Sequence, residues 1–296
     1  MRGAPETQLA VVILTFNEEL NLPACLAGLA GLPCAVYVVD SGSTDGTLEI
    51  ALSNGAQVLN HPFVSHARQW QWALANLPSR PSWILGLDAD QRLTPELRAE
   101  LIALFGPGAS APPDVAGFYL RRRQVFRGRW IRHGGYYPKY LLKLFRSDAV
   151  FLDERDLMDH HFYVHGRVCK LEGDLIEANV KEDEISFWID KHNRYAALHA
   201  REELLKRSSI EPGPLRPAVL GTPDQRTLVL KHLWYRLPLY VRPFLYFVYR
   251  YFCRAGFLDG KEGLIFHVLQ GFWYRLLVDI NIDQLQGVNG AAAHGA

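Results

Sequence analysis

Short apolar runs alternate with amphipathic stretches along the first third of the chain. Continuous apolar runs occupy residues 9–14, 35–39 and 83–87, and a short strand is predicted at residues 57–59. Runs of this length are typical of strands that are buried on both faces of a sheet. The stretches between them carry apolar residues at helical spacing. Strands that alternate with helices predict an α/β fold with a parallel sheet and right-handed crossovers.

Residues that favour helix N-termini stand where each predicted helix begins. Asn21 is expected to cap the first helix, and two further helices are expected from about residue 47 to 55 and from about residue 65 to 77. Thr94 and Pro95 predict a fourth helix, because Thr is a favoured N-cap residue and Pro is tolerated in the first turn. Farther along, residues 117–120 and 140–145 predict strands on either side of a basic, aromatic loop.

Polar and acidic side chains follow three of the predicted strands, namely Thr15, Asn17, Glu18, Asp40, Asp88 and Asp90. Taken alone, Asp88 and Asp90 fit a surface turn as well as they fit a site for Mg²⁺ that carries a diphosphate. Parallel strands share one carboxyl edge, however, and ligands of open α/β sheets bind in the crevice along that edge. Three such groups on one edge favour a site for a metal and a nucleotide.

Two common nucleotide-binding motifs are absent from the chain. No G-x-G-x-x-G follows the first strand, and no G-x-x-x-x-G-K-[ST] phosphate loop occurs. A nucleotide held by acids and a metal, without these loops, indicates a nucleotide-activated group donor rather than a hydride carrier.

Composition excludes some classes of partner. The net charge of the 296 residues is +1, so no general attraction to nucleic acid is expected. The four cysteines have no zinc-site spacing, and their scatter fits a reducing compartment. The first residues lack the apolar segment of a signal peptide, which makes a cytoplasmic location the expectation.

Three motifs, at residues 11–19, 38–47 and 87–90, resemble the family 2 glycosyltransferases, which are inverting enzymes with the GT-A nucleotide-sugar fold. Residues 128–138 and 256–263 are similar to the branch that includes lipopolysaccharide-core β-glucosyltransferases. The resemblance implies a Rossmann-like GT-A domain, a nucleoside diphosphate sugar with uridine as the favoured base, and Mg²⁺ or Mn²⁺. It also implies transfer to a hydroxyl of a glycan or lipid-linked acceptor, in the synthesis of cell-envelope polysaccharide or lipopolysaccharide.

The resemblance also assigns roles on the donor side of the site. It implies that Thr15, Asn17, Glu18 and Asp40 hold the nucleoside, with Asp40 at the base, and that Asp88 and Asp90 hold nucleotide and metal. Arg68 matches a segment near the base and the diphosphate, and a solvated helix charge explains it equally well. Gln91 stands where the family usually has Glu, a change expected to weaken support for the metal ligands without removing one.

On the acceptor side, inversion at an anomeric carbon requires a base that takes the proton of the attacking hydroxyl. His160 occupies the position of a Glu in related sequences, and the adjacent Asp159 is the alternative base. The remaining candidates for contact with acceptor or diphosphate are Arg132, His133, Gly134, Gly135, His161, Lys191 and His192. The arginines at residues 121–123 are expected to form a solvated face.

The C-terminal third differs in composition. A segment rich in Pro and Gly at residues 208–227 predicts a linker between a GT-A domain at 1–207 and a helical segment at 228–286, with a flexible tail at 287–296. Residues 233–252 mix aromatic residues with arginine, as interfacial helices do, and too many charges and prolines interrupt them for a membrane span. This segment is expected to lie on an anionic membrane surface, or to pack on the catalytic domain.

Two other functions remain open. A nucleotidyltransferase also uses strand-end acids, although it would normally carry a phosphate loop rich in glycine and lysine. A membrane-docked nucleotide-sugar binding module that has lost activity would explain Gln91 and His160.

Overall fold

The computed structural model describes residues 8–208 and 213–294, and the chain divides into two compact units. Unit 1 consists of Met1–Trp130, Tyr137–Leu152 and His160–Asp183, and unit 2 consists of Ile131–Tyr136, Asp153–Asp159 and Glu184–Ala296. Each unit is built from several stretches of the chain, which no local sequence pattern reveals.

A mixed sheet runs through unit 1. Its first half is parallel, in the order β3 (Gln57–Asn60), β2 (Ala35–Asp40), β1 (Leu9–Thr15) and β4 (Trp83–Asp88), which confirms the predicted α/β architecture. The sheet continues from β4 through further strands in the order β8 (Lys139–Arg146), β6 (Val115–Phe126), β11 (Arg167–Glu177) and β5 (Gln91–Leu93), with β7 (Arg129–Trp130) on β6. A separate pair joins β9 (Val150–Leu152) to β10 (Phe162–Val164).

Both faces of β1 and β4 are buried. The helices of unit 1 are α1 (Leu22–Gly28), α2 (Thr47–Ser53), α3 (His66–Asn76) and α4 (Pro95–Phe105), and a 3₁₀ turn spans Val180–Asp183. Alternate residues of β1 enter two different cores, with Val11 and Ile13 in one and Val12 in the other beside Trp70. Each is fully buried, and burial of one such aliphatic side chain contributes about 1.5–3 kcal/mol.

The predicted caps behave differently from one another. Thr94 caps α4, since its hydroxyl accepts the N–H of Leu97. Asn21 occupies the N-cap position of α1 without a side-chain cap, which corrects the prediction. Its amide nitrogen instead donates to Glu18 Oε2 at 2.7 Å and to Asn179 Oδ1 at 3.0 Å. A proline in the first turn of α1 removes one of the N–H groups that a cap would serve.

The arginines at residues 121–123 are paired with carboxylates of β11 and do not form a merely solvated face, as the sequence suggested. Arg121 Nε and Arg123 Nε donate to Asp174 at 2.9 and 2.5 Å, and Arg122 Nη1 donates to Glu177 at 3.0 Å. The parallel pairing of β6 with β11 brings these residues together. Because this pairing joins distant stretches of sequence, charge spacing alone does not predict it.

Unit 2 is helical. It contains α5 (Ile185–Ser208), α6 (Pro223–Arg236), α7 (Arg242–Val248), α8 (Gly260–Phe266) and α9 (Tyr274–His294). The π-helical turns Tyr249–Cys253 and His267–Trp273 follow α7 and α8, and a 3₁₀ turn spans Gly256–Asp259. No helix within residues 8–208 and 213–294 is long and apolar enough to cross a bilayer.

The helix boundaries modify the predicted organisation of the C-terminal third. α5 belongs to unit 2, where His199 contacts the Tyr274 hydroxyl, although the sequence placed this stretch in the first domain. α6 begins inside the predicted linker, because Thr222 and Gln225 form a capping box. Residues 209–212 of the linker and 295–296 of the tail lie outside the described residues, and α9 extends through residue 294.

A buried ion network joins three helices of unit 2. Arg242 of α7 is fully buried, with its Nε 2.7 Å from Asp279 Oδ1 of α9 and its Nη1 2.8 Å from Glu203 Oε1 of α5. Removal of one partner from a buried ion network costs about 3–5 kcal/mol, because it leaves an uncompensated charge. The network therefore fixes which side of α7 faces inward.

Candidate active site

The loop after β2 in unit 1 is built around the carboxylate of Asp40. Its Oδ1 accepts hydrogen bonds from Thr15 Oγ1 and Ser43 Oγ, and its Oδ2 accepts them from the N–H groups of Gly42 and Ser43, all between 2.5 and 2.9 Å. An ionised carboxylate offers about four acceptor positions, so these donors fill it, and the side chain is fully buried. The contact of Asp40 with a nucleotide base stays a prediction. Such a contact requires one of these four hydrogen bonds to be replaced by a hydrogen bond from the base.

The loop after β1 interlocks with the loop after β2. The Asn17 N–H donates to Ser43 Oγ at 2.8 Å, and Asn17 Oδ1 accepts the N–H of Thr44 at 2.8 Å. Asn17 has a φ of 54°, in the left-handed region that Asn tolerates better than most residues. Lys181, which the sequence did not single out, pairs with Glu18 Oε1 at 2.6 Å. The predicted residues Thr15, Asn17, Glu18 and Asp40 thus meet on one sheet edge.

The two aspartates follow β4 on the same edge. Asp88 ends β4, and its Oδ2 lies 2.9 Å from the ammonium of Lys143, a buried residue of β8 that the sequence did not single out. Asp90 is half-buried and lines a cavity of about 170 Å³ together with Cys25 and Asp183. Burial, followed by the charges of Asp90 and Asp88, raises the pKa of the Cys25 thiol. The thiol is therefore a neutral neighbour of the pair.

The donor set of this pair fits a hard divalent cation. Within residues 8–208 and 213–294, no three His, Cys, Asp or Glu side chains form a group that could hold a metal by themselves. Mg²⁺ is commonly held by one or two carboxylates together with phosphate oxygens and water. Asp88 and Asp90 would supply the two carboxylates of such an arrangement, and their role toward a metal stays a prediction.

Gln91 holds the turn that carries the aspartates. Its Oε1 accepts the N–H of Asp88 at 3.1 Å, and its Nε2 donates to Glu177 Oε2 at 2.9 Å. The sequence suggested that the missing carboxylate weakens support for the metal ligands. The contacts correct this view, because a Glu at position 91 would place a second carboxylate against Glu177.

We expect Gln91→Glu to destabilise the chain by about 1–3 kcal/mol at neutral pH, because a buried donor is replaced by a like charge. Repulsion raises the pKa of the carboxylate pair above its unfolded value, so the loss should shrink as the pH falls. Urea unfolding at several pH values measures this, with Gln57→Glu on the exposed edge strand β3 as the control. Equal losses in the two variants would contradict the pairing.

The helix α3 contributes a polar contact that no sequence motif indicates. Gln69 is buried, and its Nε2 donates to Ser41 Oγ and to the carbonyl of His61, both at 3.2 Å. It thereby ties α3 to the loop after β2. Arg68, one residue earlier, is exposed. Its proposed contact with base or diphosphate stays a prediction.

The two candidate bases have different surroundings. His160 of unit 1 is 7% exposed, and its ring centroid lies 5.3 Å from that of Trp70 and 4.9 Å from that of Phe162. Both ring nitrogens are buried. Asp159 of unit 2 is exposed. A hydroxyl from solvent can therefore reach the carboxylate directly, whereas it reaches the imidazole only after a rearrangement.

The segment before Asp159 is anchored within unit 2. The N–H groups of Leu157 and Met158 donate to Glu202 Oε2 of α5 at 3.0 and 3.1 Å. Lys206 of α5 pairs with both Asp156 and Glu202. The carboxylate of Asp159 thus extends from a fixed backbone, as a positioned base requires.

The loop at Arg132–Gly135 is held by the turn around Asp259, also in unit 2. The carboxylate of Asp259 accepts the N–H of His133 at 2.8 Å and lies 2.7 Å from His133 Nδ1. Gly134 has a φ of 66°, and a Cβ atom there would lie 2.0 Å from the ring of His267. The glycine is therefore required, and residues 131–136 meet residues 256–263 within unit 2. Arg132 is exposed.

Other candidates are occupied by packing. His192 stacks on Trp188 with a centroid distance of 3.5 Å, and its Nδ1 lies 2.9 Å from the Trp188 carbonyl. Trp188 is itself 1% exposed, so it docks the helix. Lys191 lies over the ring of Tyr195, and His161 of unit 1 lies 6.4 Å from the ring of Tyr163. Their roles toward an acceptor stay predictions.

We expect unit 2 to lose stability as the pH falls, because of His267. Burial, followed by the charge of Arg250, lowers the pKa of this histidine to about 4. Its unfolded pKa is about 6.5. The unfolded chain therefore binds more protons between these values, and about 3 kcal/mol is lost as the pH drops through this window.

Unfolding by urea from pH 7 to pH 4.5 measures this effect. His267→Gln should give a flatter slope of unfolding free energy against pH, whatever its stability at pH 7. His232→Gln, which changes an exposed histidine of the same unit, should leave the slope as it is. An unchanged slope in His267→Gln would show that another group causes the loss.

Comparison with protein families identifies the chain. Residues 10–166, more than half of its length, match the family model "Glycosyl transferase family 2". The chain therefore belongs to glycosyltransferase family 2, and it is a glycosyltransferase with a GT-A fold and a C-terminal helical segment.

Curated relatives agree with this family. The lipopolysaccharide core biosynthesis glycosyltransferase LpsC of Rhizobium meliloti is 29% identical over 214 residues, which are 68% of this chain and 73% of that protein. An uncharacterized glycosyltransferase of Rickettsia typhi is 32% identical over 98 residues. The chain spans 33% of the length of the Rickettsia relative.

Solved structures show a more distant likeness. A mannosyltransferase from Pyrobaculum calidifontis in complex with GDP-Man and Mn²⁺ is 16% identical with a TM-score of 0.48, covering 93% of this chain and 86% of that one. The TarS fragment 1–349 of S. aureus in complex with UDP is 15% identical with a TM-score of 0.43, covering 96% and 92%. Their ligands are properties of those proteins.

Proposed function

We propose that the chain transfers a sugar, with inversion, from a nucleoside diphosphate sugar to a hydroxyl of a glycan or lipid-linked acceptor. Its place would be the synthesis of cell-envelope polysaccharide, in particular the lipopolysaccharide core, as the name of the Rhizobium meliloti relative suggests. UDP is the favoured nucleotide. The observation that carries the proposal is the sheet edge of unit 1, where interlocked polar loops adjoin Asp88 and Asp90.

Asp88 and Asp90 are the residues that would hold Mg²⁺ or Mn²⁺. The bound ion would act as a Lewis acid that neutralises the departing diphosphate. Lys143 contributes a further positive charge, because its ammonium lies 2.9 Å from Asp88 Oδ2. The loops after β1 and β2 provide backbone and hydroxyl groups for the nucleoside, and Asp40 keeps these loops in shape.

Asp159 is the proposed base, and His160 is proposed to pack a core of unit 1. An exposed carboxylate on an anchored segment is ionised throughout the neutral range, and it can accept the proton of an incoming hydroxyl. The buried ring of His160 lies among aromatic side chains. This assignment reverses the order of preference that the family resemblance implies.

A panel of nucleotide sugars, tested for hydrolysis and transfer with Mg²⁺ and Mn²⁺, tests the function. Metal-dependent cleavage of one donor, with sugar transfer to a core oligosaccharide, supports the proposal. Donor binding without cleavage would favour a binding module, and release of diphosphate from a nucleoside triphosphate would favour a nucleotidyltransferase. The contacts of Gln91 argue against a binding module that has lost activity, because Gln91 bonds to the Asp88 N–H and to Glu177 and so supports the turn that carries the aspartates.

The site of action is proposed to be the inner face of the cytoplasmic membrane, with the chain bound peripherally. Residues 233–252 motivated this expectation from their aromatic and basic composition.

A further inference from the structure

A stripe of large apolar side chains on α7 and the π-helical turn after it faces solvent. Its members lie at spacings of three and four residues, which place them on one helix face, and each is about half exposed: Val241, Phe244, Leu245, Val248, Tyr249 and Phe252. A helix of a water-soluble domain normally turns such a face to the core. We refer to these six residues as the apolar face.

The opposite side of α7 is fixed inside unit 2. Arg242 is held by Glu203 and Asp279, and the adjacent Pro243 is buried. Tyr246 accepts a hydrogen bond from Arg250 at 2.6 Å. Rotation of the helix to hide the apolar face would break these bonds and bury unpaired charge, which is strongly destabilising.

Large apolar side chains are also exposed in the elements that follow α7. Phe257 and Leu258 in the following 3₁₀ turn are 49% and 54% exposed, and Leu264 and Val268 are 43% and 38% exposed one helical turn apart. Apolar residues that are exposed singly need no explanation, whereas a row along consecutive elements marks an interaction surface.

The charge of this region identifies the kind of partner. Residues 225–258 contain six Arg and Lys residues and no Asp or Glu. Arg242 is one of the six, but it is fully buried between Glu203 and Asp279 and adds no charge to the surface. Arg236 and Arg254 are exposed within this stretch, and Lys261 is exposed just after it. The surface presents aromatic and aliphatic side chains next to basic ones. A matching partner must therefore have both an apolar layer and negative charge. A second copy of the chain would instead bring the same positive charges together.

We propose that the apolar face docks onto an anionic phospholipid bilayer, with α7 lying in the plane of the interface. Apolar side chains would enter the boundary between headgroups and acyl chains, and the exposed Arg236 and Arg254 would reach lipid phosphates. This inference deepens the peripheral location proposed above, and it does not depend on catalysis.

Vesicle co-sedimentation of the full chain tests the proposal. We expect binding to vesicles of phosphatidylcholine with phosphatidylglycerol, weaker binding to phosphatidylcholine alone, and a decrease as salt screens the charges. The double variant Leu245→Asp with Val248→Asp should lower the partition coefficient by about tenfold or more, since it places charge in the apolar layer. Neither side chain takes part in the ion network of Arg242.

The matched control is Leu52→Asp, which changes an apolar residue of unit 1 that is 62% exposed. It should bind vesicles as the parent chain does. A second double variant, Leu245→Gln with Val248→Thr, introduces polar side chains without charge. We expect it to bind vesicles more weakly than the parent chain while its thermal unfolding midpoint is retained. Donor hydrolysis without vesicles should be the same in all variants, which separates failure of this proposal from failure of the proposed function.

Two outcomes would overturn the proposal. One is parent-like vesicle binding by the folded double variants. The other is that the parent chain does not bind vesicles but self-associates as its concentration rises, and that the double variants do not self-associate. That result would make the apolar face an interface between copies.

Discussion

Asp159→Ala is expected to reduce the rate of sugar transfer by about 10²–10⁴-fold, the usual effect of removing a positioned general base. The side chain is exposed, so its removal creates no cavity, and the thermal unfolding midpoint should stay near that of the parent. The transfer rate of the parent should also be nearly flat from pH 6 to pH 8, because an aspartate is ionised over this whole range. Initial rates with a fixed donor and acceptor measure both effects.

His160 provides the contrasting variants. His160→Phe retains an aromatic ring beside Trp70 and Phe162, and it should keep most of the transfer activity if the residue only packs. A transfer rate that rises as the pH is raised through the neutral range, together with activity lost in His160→Phe and retained in His160→Glu, would instead make the imidazole the base.

Asp90→Asn should weaken metal-dependent donor binding by at least about a hundredfold, because residues that only support a metal ligand already contribute 10–100-fold. The amide keeps the size of the side chain and removes its charge. Calorimetric titration with UDP-glucose, with and without Mn²⁺, measures the change.

Asp183→Asn is the matched control for Asp90→Asn, because Asp183 lines the same cavity without belonging to the strand-end pair. It should change donor affinity by less than about threefold, which corresponds to about 0.6 kcal/mol. Equal donor affinity of the parent chain with and without metal would refute the role of the metal, whatever the variants do.

The parallel half of the sheet was predictable from the sequence, because each strand and helix there is encoded by a local pattern. The apolar runs before Thr15, Asp40 and Asp88 coincide with β1, β2 and β4. The order of β8, β6, β11 and β5 was not predictable, since it depends on pairing between distant stretches. The same pairing decides that residues 121–123 meet carboxylates.

The sequence indicated which residues lie at the candidate site, but it did not indicate which contacts these residues make. The sequence places Asp40 and Asp88 at one edge, but it does not reveal that Asp40 is filled by four donors or that Lys143 lies against Asp88. Lys143 comes from an antiparallel strand far along the chain, so no motif spacing reports it. Gln69 lies between the exposed Arg68 and the buried Trp70. Its position on an otherwise apolar face of α3 was the only feature of the sequence that could have indicated a buried polar contact.

The network of Arg242, Glu203 and Asp279 has a consequence for sequence variation within the family. Substitution of one of the three residues leaves a buried charge without its partner. Replacement of all three by well-packed apolar residues is often neutral or stabilising. Substitutions at these positions should therefore be coupled, with all three ions retained in one lineage and all three lost in another. Since the residues lie on α5, α7 and α9, such covariation would link three distant columns of a family alignment.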